Sequence, residues 1–335
     1  MPTTSPSQPF AATRRRRRPI LTLALGATLA FAACSNTPAA SSPPSAAAPS
    51  TAPSAAVSVA PESVAPESVA PSEAASVAPS ASAAAAQDLA VTGSDFAFQA
   101  PASIPAGLTK LTLTNAGAEE HQAQIAGFKA GSTFEELTAA LAGPDEIAAL
   151  ALVTLSGGPT GVQPGASAST TSNLEPGAYV FLCFVRSPDG VPHFAKGMIA
   201  PIEVTEPAVE AAVPAGDASL ELQDFAFVGL DTLTAGPHQI TMTNNGPQPH
   251  EATIVKLAEG VSAADLPAMF ASTEPPSGPP PFTSVGGVAG IDVGDTVNVD
   301  VDLEPGNYAF LCFIPDPATG APHAALGMIG ALTVN

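Results

Sequence analysis

The chain has 335 residues, 45% of them hydrophobic and 12% charged, with a formal net charge of −20. Five of its ten basic residues are the arginines at 14–18, so the rest of the chain carries −25. That balance argues against nucleic acid or an anionic membrane surface as partner, and would draw a basic partner or a cationic ligand.

The first element expected is an export segment over residues 1–34. A basic start at 14–18 precedes an apolar stretch at 19–33 and then Cys34, the layout of a signal peptide. The stretch falls short of the roughly 20 residues that span a bilayer as a helix. Ala32 and Ala33 before Cys34 resemble a bacterial lipobox, with Phe31 where that pattern usually has Leu. The resemblance implies lipidation of Cys34 and a lipid-anchored, extracytoplasmic protein, or a secreted one should Cys34 stay unmodified. Arg17-Arg18-Pro19-Ile20-Leu21 is weakly similar to a twin-arginine export signal.

Residues 35–87 follow as a stalk of Ala, Pro, Ser, Val and Glu, with runs such as Ser58-Val-Ala-Pro-Glu and Ser63-Val-Ala-Pro-Glu. Such a composition cannot bury a core, so disorder is expected. Frequent proline stiffens it into a spacer of up to about 3.1 Å per residue.

Two domains then follow at 88–205 and 217–335, joined by a linker at 206–216. In the first, Asp95-Phe-Ala-Phe alternates as a half-buried strand should, and Leu111-Thr-Leu-Thr does the same. Ser132 leads Glu135 as a capping box, predicting a short helix with Phe134, Leu137 and Leu141 on one face. Tyr179, Phe181 and Cys183 share one face of a strand and Val180 and Leu182 the other, which marks a central strand. The second domain repeats these signals at Asp224-Phe-Ala-Phe and Ile240-Thr-Met-Thr, with a helix starting near Ser262. Short strands punctuated by Gly and Pro predict an all-β fold: two tandem β-sandwiches, each with a short inserted helix.

A four-residue set recurs in register. His121, Cys183, His193 and Met198 return as His250, Cys312, His323 and Met328, the first two pairs each 129 residues apart. Two imidazoles, a thiolate and a weak thioether are the donors that suit a blue-copper ion; zinc prefers four strong donors. The chain has three cysteines, and one per domain rules out an intradomain disulfide. A Cys183–Cys312 bridge is the remaining structural alternative in an oxidising compartment.

The segments around these residues resemble the cupredoxin family, plastocyanin-like proteins above all. Asn115-Ala-Gly-Ala-Glu-Glu-His121 and Asn244-Asn-Gly-Pro-Gln-Pro-His250 are similar to the family's turn into its first copper histidine. Pro176-Gly-Ala-Tyr-Val-Phe-Leu-Cys183 and its copy ending at Cys312 resemble its Gly-x-Tyr-x-Phe-x-Cys strand. Pro192-His-Phe-Ala-Lys-Gly-Met198 and Pro322-His-Ala-Ala-Leu-Gly-Met328 match its Pro-His-x-x-x-Gly-Met ending. The resemblance implies Greek-key sandwiches and up to one type 1-like copper per domain. The histidines and thiolate would be equatorial, Met axial, and the second histidine the exit for electrons. One departure stands out: nine residues separate Cys183 from His193 and ten separate Cys312 from His323, where plastocyanin-like proteins have two. Ser187-Pro-Asp-Gly and Pro315-Asp-Pro-Ala-Thr-Gly read as a turn-rich excursion able to loosen the site.

Five histidines in the chain leave one, His238, after two such sites are filled. Family oxidases and nitrite reductases need further histidines, and a binuclear copper site needs two cysteines in one loop, so no enzyme is expected. The expected function is one-electron transfer at the cell surface between redox partner proteins, by a monomer that meets the membrane only through its lipid. A copper carrier or buffer exchanging the ion with a donor or acceptor, and a metal-free binding module on a stalk, are the alternatives.

Overall fold

The structure is a computed structural model and describes residues 85–143, 147–207, 211–270, 272 and 278–335. The signal segment, Cys34 and nearly all of the stalk lie outside the described residues. Those described fall within one compact unit, Ala75–Asn335.

The first half contributes β1 (Gln87–Ser94), β2 (Ala97–Gln99), β3 (Ser103–Pro105), β4 (Gly107–Asn115), β5 (Gln124–Phe128), β6 (Val153–Leu155), β7 (Ser167–Leu174), β8 (Gly177–Leu182) and β9 (Ile199–Thr205). Helices α1 (Phe134–Leu141) and α2 (Ile147–Leu150) sit between β5 and β6. The second half repeats the plan with β10 (Ala218–Gln223), β11 (Ala226–Val228), β12 (Gly236–Asn244), β13 (His250–Leu257), β14 (Phe282–Ile291), β15 (Thr296–Leu303), β16 (Gly306–Leu311) and β17 (Ile329–Val334). Its helix, α3 (Leu266–Phe270), lies between β13 and β14.

Each half is a two-layer sandwich. In the first, β2-β1-β4-β7 faces β3-β9-β8-β5-β6; in the second, β11-β10-β12-β15 faces β14-β13-β16-β17. Leu89, Val91, Leu111 and Leu113 from one layer meet Ile125, Phe181, Ile202 and Val204 from the other. A fully buried side chain of this size contributes about 1.5–3 kcal/mol. The predicted central strand is β8, flanked by β9 and β5. Its Tyr179 and Phe181 join the sandwich core while Val180 and Leu182 join the cluster that reaches α1 and the second half.

The halves share backbone. Antiparallel pairing of Asn298, Val299 and Asp300 with Thr171, Thr170 and Ser169 fuses one layer of each into an eight-stranded sheet. A second seam runs where Gly157 N donates to Gly290 O at 2.9 Å and Ala289 N to Gly158 O at 2.8 Å. The Gln124 amide bridges Gly157 O and Gly290 O across it, at 3.1 and 3.0 Å.

Two sequence expectations shift. The helix cap is Thr133 with Glu136, one residue beyond Ser132 and Glu135. Counting from Thr133 buries Leu137 and Leu141 but leaves Phe134 37% exposed. Asp95-Phe-Ala-Phe is not one strand: Asp95 and Phe96 form the turn between β1 and β2, and Asp224 and Phe225 that between β10 and β11. The turn frees each aspartate to reach a histidine, as described next.

Candidate metal centres

Each site is assembled from three backbone pieces. The first histidine follows the layer-crossing segment after β4 or β12, where Asn115 and Asn244 act as braces. Asn115 Nδ2 donates to Glu119 O and Val162 O, both at 2.8 Å, and its Oδ1 accepts from Gly117 N at 2.8 Å. Asn244 repeats these bonds to Gln248 O, Ile291 O and Gly246 N.

The cysteine stands one residue past the central strand. The second histidine opens a single 3-10 turn (His193–Lys196, His323–Leu326) that ends at Gly197 or Gly327, with φ of +111° and +105°. Only glycine takes that left-handed conformation cheaply. It folds the next methionine back, so that Met198 N reaches His193 O and Met328 N reaches His323 O, both at 2.9 Å. The His-x-x-x-Gly-Met spacing has this physical basis.

The structure brings six of the eight predicted donors, two histidines and a cysteine from each set, into two fully buried groups, and Met198 and Met328 are buried as well. His121 Nδ1 and His193 Nδ1 are 3.1 Å apart, and Cys183 Sγ lies 4.0 and 3.4 Å from them. In the second group His250 and His323 Nδ1 are 3.1 Å apart, with Cys312 Sγ at 3.8 and 3.4 Å. An ion with metal–nitrogen bonds of about 2.0 Å and a metal–sulfur bond of about 2.3 Å would need donors about 3–4 Å apart. The triads meet that requirement. Met198 lies beside the first: a Cβ at Gly93 would be 3.1 Å from Met198 Cε and 3.4 Å from His121 Cδ2. No bridge joins the cysteines; Cys183 and Cys312 are each free and buried in their own site.

The long loops do not loosen the sites as the sequence suggested. Their extra residues pair with one another, Arg186 with Pro192 and Pro315 with Pro322. His193 N is tied to Val185 O at 2.8 Å, and Phe194 N to Cys183 O at 2.9 Å. His323 N and Ala324 N make the same bonds to Ile314 O and Cys312 O, at 2.9 and 2.7 Å. The excursion leaves the site and returns.

Around the donors lie residues that sequence reasoning placed elsewhere or passed over. Asp95 Oδ1 sits 2.9 Å from His121 Nε2, off the line of an aligned hydrogen bond, and Asp224 Oδ1 accepts from His250 Nε2 at 2.8 Å. Glu119 Oε2 accepts from His193 Nε2 at 3.0 Å. The hydrogen-bond network therefore assigns the proton of His193 to Nε2 and leaves Nδ1 a lone pair aimed at the donor cluster. Gln122 N and Glu251 N each point at the sulfur, at 3.4 Å. Phe96 packs on His193 with centroids 4.7 Å apart, and Phe225 on His323 at 5.1 Å. The signal for Asp95 and Phe96 was their recurrence as Asp224 and Phe225.

Burial sets the protonation of the sites. It pushes the Cys183 thiol up to about 12, against backbone donors that pull it down, and raises Cys312 too. It lowers His121, His250 and His323, with the neighbouring imidazole adding to the effect at His121 and His323. Neutral imidazoles and a thiol that ionises only on binding a cation are the chemistry of a soft-metal site. His238, outside both groups, pairs with Asp217 at 2.5 Å.

No protein-family model matches the sequence, and no curated protein matches it. Solved structures do. Dithionite-reduced auracyanin from the photosynthetic bacterium Roseiflexus castenholzii is 23% identical, covering 35% of this chain and 94% of its own, with a TM-score of 0.25. Auracyanin B is 20% identical over 36% of this chain and 96% of its own, TM-score 0.24. A multicopper oxidase is 16% identical over 74% of this chain and 88% of its own, TM-score 0.21. On its own geometry, each half is a cupredoxin-like sandwich whose two histidines and cysteine, with methionine nearby, fit one type 1-like copper.

Proposed function

We propose that the chain is a one-electron carrier of the cell surface, working through a type 1-like copper in each domain, and not an enzyme. The observation that carries this reading is the convergence of Nδ1, Nδ1 and Sγ in two buried sites, with a methionine folded back against each. Copper, when bound, would supply a one-electron couple. The chain supplies a donor set that is already in place. Cys183, His193 and Met198 are hydrogen-bonded to one another through their own or adjacent backbone, and Asn115 fixes the segment leading to His121. Donors held this way change little on a change of oxidation state, which keeps reorganisation small. Phe96 and Phe225 cover His193 and His323 and keep water off rings that are themselves fully buried.

Surface location rests on the export segment and Cys34, with the lipid as the only membrane contact; a basic redox protein suits the acidic chain. Among the described residues, no helix is long and apolar enough to cross a membrane. With four of five histidines in the two sites and His238 on Asp217, none is left for a further copper centre.

The test is a Cu(II) titration of the full chain followed by visible absorption and EPR. Uptake of two ions with an intense thiolate-to-copper band, lost in Cys183→Ser/Cys312→Ser, is the expected result. Tight uptake without that band would favour a copper carrier, and no uptake would leave a metal-free binding module.

A further inference from the structure

The duplication makes each site a control for the other, and at the second histidine they differ in the contact made by its outer nitrogen. In the first site, Glu119 carries a carboxylate oxygen 3.0 Å from His193 Nε2. The position 129 residues on is Gln248. It keeps the same backbone bond, Asn244 Nδ2 to Gln248 O at 2.9 Å against Asn115 Nδ2 to Glu119 O at 2.8 Å. Its side chain turns away: Gln248 Nε2 donates to Asp224 Oδ2 at 3.0 Å. His323 Nε2 is left buried without a hydrogen-bond partner.

The consequence is electrostatic. A carboxylate accepting the outer N–H makes an imidazole a stronger donor and fixes its tautomer. Its negative charge, held one ring away from the ligand atom, favours the higher oxidation state of a bound metal. Were the Gln248 oxygen to swing onto His323, a neutral amide would still be a weaker acceptor than a carboxylate, since charge-assisted bonds are about twice as strong. A second charge differs too: Asp316 stands where the first site has Ser187. It acts on His323 after Asp224 and makes no hydrogen bond to its outer nitrogen, so it does not replace the contact that Glu119 makes. Lys196, 4.7 Å from the Phe96 ring centroid that caps His193, is neutralised by Asp189 at 2.9 Å, and Leu326 occupies its place in the second domain.

We propose that Glu119 is a positioning residue that makes the two sites inequivalent, the first with the lower reduction potential and the second with the higher. The inference rests on the copper reading of the sites. With both sites loaded, an electron shared between them would rest on the second, with no bond formed or broken.

The experiment uses full-length single-site chains, Cys312→Ser keeping the first site and Cys183→Ser keeping the second. Spectroelectrochemical titration should give the first a lower potential than the second. Glu119→Gln in the first chain should raise its potential toward that of the second, and Gln248→Glu in the second should lower it. In the metal-free Cys312→Ser chain, ring-nitrogen NMR should place the His193 proton on Nε2, and Glu119→Gln should weaken that preference. Equal potentials, or a first-site potential unmoved by Glu119→Gln, overturn the proposal while leaving copper binding intact. Absence of the thiolate band from both chains would instead overturn the copper reading beneath it.

Discussion

Asp224 accepts a hydrogen bond from His250 Nε2 at 2.8 Å, and the pair lies flat against Gly246. A Cβ there would stand 2.6 Å from His250 Nε2 and 3.0 Å from Asp224 Oδ1. At Gly117 it would stand 2.6 Å from His121 Nε2 and 2.3 Å from Asp95 Oδ1. These glycines are missing a side chain because the carboxylate–imidazole pair occupies its place. Gly117→Ala and Gly246→Ala should each push the carboxylate off its histidine and weaken copper binding at that site by about 10–100-fold. Competition against a calibrated chelator, site by site in single-cysteine chains, measures this. Unchanged affinity would mean that the aspartates do not orient the ligands.

The thiols give a metal-free readout. Cys183 and Cys312 are fully buried, and burial holds Cys183 up at about 12 with Cys312 raised as well. Because the thiolate is the reactive form, neither should be alkylated at pH 8 in the folded apoprotein, and both should react once it is unfolded. Peptide mapping separates them from Cys34. Rapid alkylation in the folded state would show that the sites open readily.

The donor set was legible in the sequence because each member has a side chain that little else explains, repeated 129 residues on. The strands were legible too, since Leu111, Leu113 and Phe181 alternate with their neighbours as a packed sheet requires. The outer shell was not. Asp95 reads as an ordinary polar residue beside an aromatic one, and only the turn at 95–96 brings it to His121. Glu119 and Gln248 look like exposed turn residues until the loop after the cysteine returns beneath one of them. Nor could periodicity show that β15 pairs with β7, because an edge strand and a shared strand carry the same alternating pattern.

That shared edge should make the two halves unfold as one. The Gln124 amide serves Gly157 O and Gly290 O across the seam; both carbonyls keep a backbone donor without it, so removing it should cost about 0.5–1.5 kcal/mol per hydrogen bond lost. The Lys110–Asp300 pair also crosses the seam, at 2.6 Å, but both ends are about a third exposed, so it should be worth about 0–1 kcal/mol. Urea denaturation followed by fluorescence of the few tyrosines and by circular dichroism should show one transition, lowered more by Gln124→Ala than by Asp300→Asn. Two separated transitions would mean that the domains are stable apart.

Acidity touches the same region. The turn after β14 carries Asp292 and Asp295; burial, and after it the Asp292 charge, pushes Asp295 up to about 6. The unfolded chain should titrate this group near the ordinary value of about 3.9. Between those values the folded state binds more protons than the unfolded one, so this group lowers stability as pH rises from about 4 to about 6. Asp295→Asn should flatten that limb and stabilise the protein more at pH 7 than at pH 4. Urea midpoints at the two pH values decide it, and a gain that is equal at both would remove Asp295 as the cause.

The loop between cysteine and second histidine decides whether the site is a fixed carrier or a place of exchange. Asp316 organises the outer end of the second loop, its Oδ1 accepting from Thr319 N and Oγ1 at 2.8 Å and from Ala318 N at 3.1 Å. The inner end is held separately, by His323 N on Ile314 O and Ala324 N on Cys312 O. Asp316→Ala should therefore cost about 1–3 kcal/mol of stability while copper leaves the site at nearly its original rate. Ala324→Pro removes the N–H that bonds Cys312 O and disfavours the helical turn conformation at His323, so copper should then leave much faster. Stopped-flow transfer to a chelator compares the two. Fast release from Asp316→Ala would show that the outer turn, and not the backbone tie at the cysteine, keeps the metal in place.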